Sequence, residues 1–153
     1  MHPINLCLHL AGVVLWVGGM FFAWMCLSPV AASLLLPPTR LKLWGAVFAH
    51  FFPWVWGAVA AILLSGILTL LHTSMSHAPL HWHLMLLLGL VMTAIFIYVV
   101  LVPYSKLKMA VADEDWPGGG VALGRIRQLV GTNLLLGVAT VAVATLGRLF
   151  FHP

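Results

Sequence analysis

Four stretches of this chain are too apolar to face water and long enough to cross a bilayer. They run over residues 4–30, 43–71, 83–102 and 121–150. Each meets or exceeds the ~20 residues that a helix needs to span a ~30 Å hydrocarbon core. None contains an acid, and none carries Lys or Arg near its centre. Backbone groups in lipid must be hydrogen-bonded within the chain, so helices are the expected form. The expectation is an all-α integral membrane protein, a four-transmembrane-helix bundle forming one domain over residues 1–153. Composition excludes the soluble alternative. The chain has 63% hydrophobic and 7% charged residues, where a soluble domain carries about 25% charged residues. Its net charge of +4 is small and not gathered into a stripe, so nucleic acid is not an expected partner. The bilayer is.

The connections set an orientation. Arg40 and Lys42 follow Pro37 and Pro38 between the first two segments. Lys106, Lys108, Arg125 and Arg127 flank the acids Asp113, Glu114 and Asp115 between the last two. Only Arg148 opposes this arrangement. The positive-inside rule then places both termini and the 72–83 connection outside. The predicted location is the inner membrane of a bacterium, with the termini in the periplasm. Trp116-Pro117-Gly118-Gly119-Gly120 reads as a breaker before the fourth helix. Cys7 and Cys26 share the first segment, roughly 28 Å apart on one helix. They cannot bridge each other and are expected as buried thiols. The first apolar run is too long for a signal peptide and reads as a retained helix.

Histidines dominate the candidate chemistry. The outward connection reads HTSMSHAPLHWH from 72 to 83, with His72, Met75, His77, His81 and His83 all metal-competent. In the first segment His9 shares a face with Gly12, Trp16 and Gly19. Ionisable residues inside a membrane point to function, although small residues beside Trp also serve ordinary helix packing. Neutral imidazoles on separate helices are the usual axial ligands of a b-type haem in a bundle. His9 and His83 are the candidate pair, with His72 as the competing ligand and Gly12 and Trp16 lining the macrocycle. Met85 and Met92 share a face about 180° from His83 and read as packing. His50 precedes Pro53, which leaves the carbonyl of Ala49 without its helical donor, so His50 is a candidate to satisfy polar groups at that kink. Asn133, Gly137, Thr140 and Ala144 form a small, weakly polar packing stripe on the fourth helix.

With these residues in view, the chain resembles the small CopD-like integral membrane proteins. The matching stretches are HLAGVVLWVGGMFF at 9–22, FFPWVWGAVAAILLSG at 51–66, HLMLLLGLVM at 83–92 and IRQLVGTNLLLGVATVAVATLGR at 126–148. The resemblance implies a role in copper uptake or tolerance. The pattern is also similar to the HemJ-type four-helix haem proteins, for which it implies a first-helix His and a third-helix Lys. His9 stands at the first position; residues 83–102 hold no lysine, and His83 lies near the second.

Three functions follow as expectations. The first is a b-type haem redox protein, an oxidoreductase or electron carrier working near the periplasmic face with quinone or a periplasmic redox partner. The second is copper binding or transport, with His72, Met75, His77, His81 and His83 capturing the ion. The third is a cofactor-free assembly subunit. A homo-oligomer is compatible with each.

Overall fold

The computed structural model describes residues 3–73 and 80–151, all but a few turn residues of them helical. The elements are α1 (Pro3–Phe21), a π-helical turn (Phe22–Leu27), α2 (Ser28–Leu34), α3 (Pro37–Thr73), α4 (Leu80–Leu101), α5 (Pro103–Ala112) and α6 (Trp116–Phe151). Among the described residues there is no strand. Together they make four spans long and apolar enough to cross a membrane: Pro3–Leu34, Pro37–Leu71, Leu80–Ala112 and Trp116–Leu146. The chain is a multi-pass membrane protein. Leu, Val, Ile and Trp side chains lie exposed around the bundle, among them Val14, Trp54, Leu87 and Leu135. Hydrocarbon is the solvent that suits such a surface.

The helices run further than the apolar segments. Pro37 and Pro38 open α3, so Arg40 and Lys42 ride its first turns instead of a loop. Proline is tolerated in a first helical turn because its missing N–H has no partner there. Pro103 does the same for α5, which carries Lys106 and Lys108 and lengthens the third span to Ala112. That extension puts two lysines in the third span, but at the end away from His83. The expected breaker at 116–120 is instead the start of α6. Asp115 caps it, its Oδ1 accepting from the N–H of Gly118 at 3.0 Å. Gly119 is kept small by its neighbours: a Cβ there would stand 2.8 Å from Leu41 Cδ1. The chain turns between α5 and α6 through Glu114, in the left-handed region at φ 57°. Six of the seven basic residues and all three acids gather at this one end of the bundle, and Arg148 stands near the far end of α6. The ammonium groups of Lys42 and Lys108 sit 5.5 Å over the Trp116 ring and 4.9 Å over the Tyr104 ring.

The spans pair as first with second and third with fourth, and the pairs close over an aromatic core. Trp44, Phe48 and Phe52 recur every four residues and so stack along one face of α3. Phe52 meets Phe96 and Tyr104 edge-on at 5.5 and 4.9 Å, and Trp16 reaches Phe96 at 6.2 Å. Such pairs add about 0.5–1.5 kcal/mol each beyond area burial, which matters where lipid removes the hydrophobic drive between helices. Both cysteines turn outward; Cys7 and Cys26 are exposed, not buried as expected. Their faces of the first span look to lipid.

Gly12 and Gly19 let the first two spans approach closely, Gly19 against the Phe51 ring. A Cβ on Gly12 would stand 2.8 Å from Ile62 Cγ1 and 2.9 Å from the Ala58 carbonyl oxygen, whereas one on Gly18 would meet nothing within 4 Å. Gly12→Val is therefore expected to cost about 1–3 kcal/mol by overpacking, and Gly18→Val to be near neutral. Unfolding titrations in mixed micelles check this pair. Equal effects of the two changes would contradict the packing.

Candidate functional site

At the end of the bundle opposite the charges, four polar side chains meet across the first and second spans. Asn5 and His9 lie four apart on α1; Ser65 and Thr69 lie four apart on α3. This spacing puts each pair on one helix face. Asn5 Nδ2 donates to the Ser65 carbonyl at 2.9 Å and to Thr69 Oγ1 at 3.0 Å. The Thr69 hydroxyl donates to the Ser65 carbonyl at 2.8 Å. His9 Nδ1 lies 2.8 Å from Ser65 Oγ. Ser65 and Thr69 are buried, Asn5 and His9 half-buried.

Hydrogen accounting favours one tautomer of His9. Ser65 has one hydroxyl proton, and the carbonyls of Ala61 and Ile62 accept it at 2.5 and 3.0 Å. With that proton on a carbonyl, the Ser65 oxygen accepts from His9 Nδ1–H, and the Ile62 carbonyl is a further acceptor for the imidazole. In that tautomer Nε2 carries a lone pair. A histidine locked by a hydrogen bond at one nitrogen and open at the other is the arrangement that metal-binding imidazoles use. The ring lies over Gly66, where a Cβ would come within 3.9 Å of His9 Cε1.

His81 and His83 occupy the first turn of α4 at the same end. Two residues apart, they point about 200° away from each other around the helix. They cannot both face one ion. His81 is buried, its Nδ1 without a hydrogen-bond partner and its ring edge-on to Trp82. His83 is half-buried. His72 lies on the last turn of α3, but its side chain, like Met75 and His77, is outside the described residues. Among the described residues no three His, Cys, Asp or Glu side chains converge on one metal position.

The packing of the described residues around Gly12 and Trp16 leaves no macrocycle-sized space. Gly12 faces Ile62 and the Ala58 carbonyl, and Trp16 is 3% exposed with its ring against Phe96. The spans bearing His9 and His83 make no backbone approach within 8 Å among the described residues. The cavity beside Trp16 measures about 40 Å³. Ordinary ligand pockets measure ~300–1,000 Å³. A wider hollow of about 470 Å³ is a shallow lipid-side groove on α3 between Ala46 and Trp54. It lies fifteen residues along α3 from Ser65, roughly 22 Å away. As packed, these residues do not fit a haem.

His50 opens onto that groove. Its Nδ1 donates to the Ala46 carbonyl at 2.9 Å, one turn before the carbonyl of Ala49 that Pro53 frees. The small stripe on α6 packs as expected at Gly137, against Val17 and Met92. Asn133 does not follow it. That residue is 3% exposed, and its Oδ1 has no hydrogen-bond partner.

Asn5, Ser65 and Thr69 went unread in the sequence. The available signal was the pair of i, i+4 polar repeats, N-x-x-x-H in the first span and S-x-x-x-T in the second, at matching distances from one end. Residues 45–146 match the family described as CopD, copper resistance protein D. No curated protein and no solved structure matches the chain. The matched region holds Ser65, Thr69, His81, His83 and Asn133, and begins after the span that supplies Asn5 and His9.

Ser65→Ala removes the acceptor of the His9 Nδ1 proton. The variant is expected to lose roughly 0.6–2 kcal/mol, the range for hydrogen bonds between membrane helices. It should also release the tautomer. Imidazole ¹⁵N spectra of the labelled protein should show Nδ1–H in the parent and a tautomer mixture in the variant; identical spectra would refute the assignment.

Proposed function

The chain belongs to the CopD family of copper resistance proteins, and from that premise we propose that it binds copper ions and carries them across the membrane. The observation that carries the reading is His9. Its Nδ1 lies 2.8 Å from Ser65 Oγ inside the membrane, and the tautomer with its proton on Nδ1 offers Nε2 as a ligand. A neutral imidazole lone pair is a good ligand for copper. In a hydrocarbon setting, such a group with an ordered set of partners is a functional position by default.

The positive-inside rule orients the bundle with its basic end in the cytoplasm. His9, His81, His83 and the 72–83 connection then face the periplasm across a bacterial inner membrane. Copper first meets His72, Met75, His77 and His81 there and passes to His9, which lies within the span. His83 turns away from His81 and serves as a separate outer ligand. Ser65 and Thr69 on α3, with Asn5, hold His9 in its ligand-ready tautomer.

A b-type haem on His9 and His83 is the weaker reading. The family points to copper, and the aromatic packing around Trp16 leaves no room for the ring. The quinone and periplasmic redox partners belong to that reading and share its lack of support.

The test is one preparation examined twice. Protein expressed with ample haem and copper, then purified in detergent, is expected to lack reduced b-type haem bands. It is expected to bind copper, with His9→Ala weakening binding at least about tenfold, the lower end for loss of a metal-supporting group. Stoichiometric haem, lost in His9→Ala, would replace copper with the redox function.

A further inference from the structure

The lipid-facing side of α3 carries two polar groups that lipid cannot satisfy. Trp54 is the midpoint of its span, seventeen residues from Pro37 and seventeen from Leu71. That is roughly 25 Å from either end. Its side chain is 68% exposed, and its indole N–H donates to nothing among the described residues. Tryptophans gather at membrane interfaces, where one end of the ring stays wet. This one is as far from both interfaces as the span allows. His50 stands one turn earlier, also exposed. Its Nδ1 donates to the Ala46 carbonyl, so the neutral ring presents Nε2 as a bare acceptor. Histidines within spans face protein or a water-filled cavity. Among the described residues nothing covers this one.

The two deficits are complementary, one a donor and the other an acceptor, on one helix face. An acyl chain satisfies neither. A surface bearing the same pair satisfies both. The ground around them suits a close approach. At 100° per residue, Ala46, Gly57 and Ala60 share an arc of about 120° with His50 and Trp54. All three are exposed, and a Cβ on Gly57 would meet nothing within 4 Å. Small side chains let membrane helices come together at backbone distance.

We propose that this face docks a second copy of the chain, giving a two-fold dimer through α3. The basic end orients both copies alike, so the axis runs along the membrane normal and equal levels face each other. An isologous contact forms each pair twice. A helical side chain leans toward the helix N-terminus, so the Trp54 indole covers the level of residue 50. Its Nε1–H donates to Nε2 of the partner's His50. The shallow groove between Ala46 and Trp54 receives the partner's indole. The dimer is independent of the copper reading, and neither requires the other.

The test is energy transfer between donor- and acceptor-labelled copies of the full-length protein in lipid vesicles, followed as lipid dilutes them. The parent is expected to dimerise. Trp54→Phe keeps a ring and removes the N–H; His50→Leu removes the acceptor. Each change deletes both symmetric bonds, so each should weaken the dimer roughly five- to tenfold, from two bonds of average strength between membrane helices. The double variant should be no weaker than either single one. Both side chains face lipid, so neither change should disturb the monomer fold. In a background lacking Cys7 and Cys26, a short thiol-to-thiol crosslinker should join Ala60→Cys copies. It should leave Leu135→Cys, on the lipid face of α6, as monomer. A parent that stays monomeric at every lipid ratio overturns the proposal. So does a dimer that crosslinks through Leu135→Cys and is indifferent to Trp54→Phe and His50→Leu. A monomer that retains a hydroxyl-bearing amphiphile lost in those two variants overturns it as well, and gives the face to a small molecule.

Discussion

Hydrocarbon offers no hydrogen bonds, so every polar atom in this bundle must find its partner within the chain. That constraint fixes the helical backbone. It also sorts the polar side chains. Most of the span hydroxyls turn back onto their own helix, as Thr93 does to Gly89 and Thr140 to Leu136. Several places depart from that economy. At one end Asn5, His9, Ser65 and Thr69 satisfy each other across two helices, and Nδ1 of the buried His81 has no partner. At the centre the Asn133 oxygen has none.

The packing gives these places their rigidity. Gly12 lets the first two spans approach until Ala58 and Ile62 fill the gap, which brings Ser65 within reach of His9 one turn nearer the helix end. The ladder of Trp44, Phe48 and Phe52 then locks α3 against Phe96 and Tyr104. Trp24 anchors the π-helical turn of the first span by donating from Nε1 to the Arg127 carbonyl at 3.2 Å, above the small Gly131. The same aromatic filling that binds the four spans together leaves no room for a macrocycle beside Trp16.

The spans were legible because length and apolarity alone decide what crosses a bilayer. Their ends were not, because Pro37, Pro103 and Pro117 stand where a proline begins a helix, and a reading by composition takes it as ending one. The run of Gly118, Gly119 and Gly120 misleads in the same way: packing of Leu41 against Gly119 outweighs the weak helix propensity of glycine. His9 was legible as an ionisable residue in a span. Its partners were not, since Ser65 and Thr69 gain meaning only from the helix they face. Gly12 and Trp16 fell on the face of His9 as periodicity requires, yet that face meets protein. Asn133 was visible within a packing stripe, but a missing hydrogen bond is a fact of three dimensions and leaves no mark on a sequence.

Copper movement through the bundle is the central claim, and flux measures it directly. The protein would be reconstituted into liposomes that enclose a copper-responsive fluorescent chelator, and copper would be added outside. Copper transport predicts protein-dependent influx that exceeds that of empty liposomes and falls in His9→Ala. Influx no faster than through protein-free liposomes, from protein shown to be folded and inserted, would contradict it.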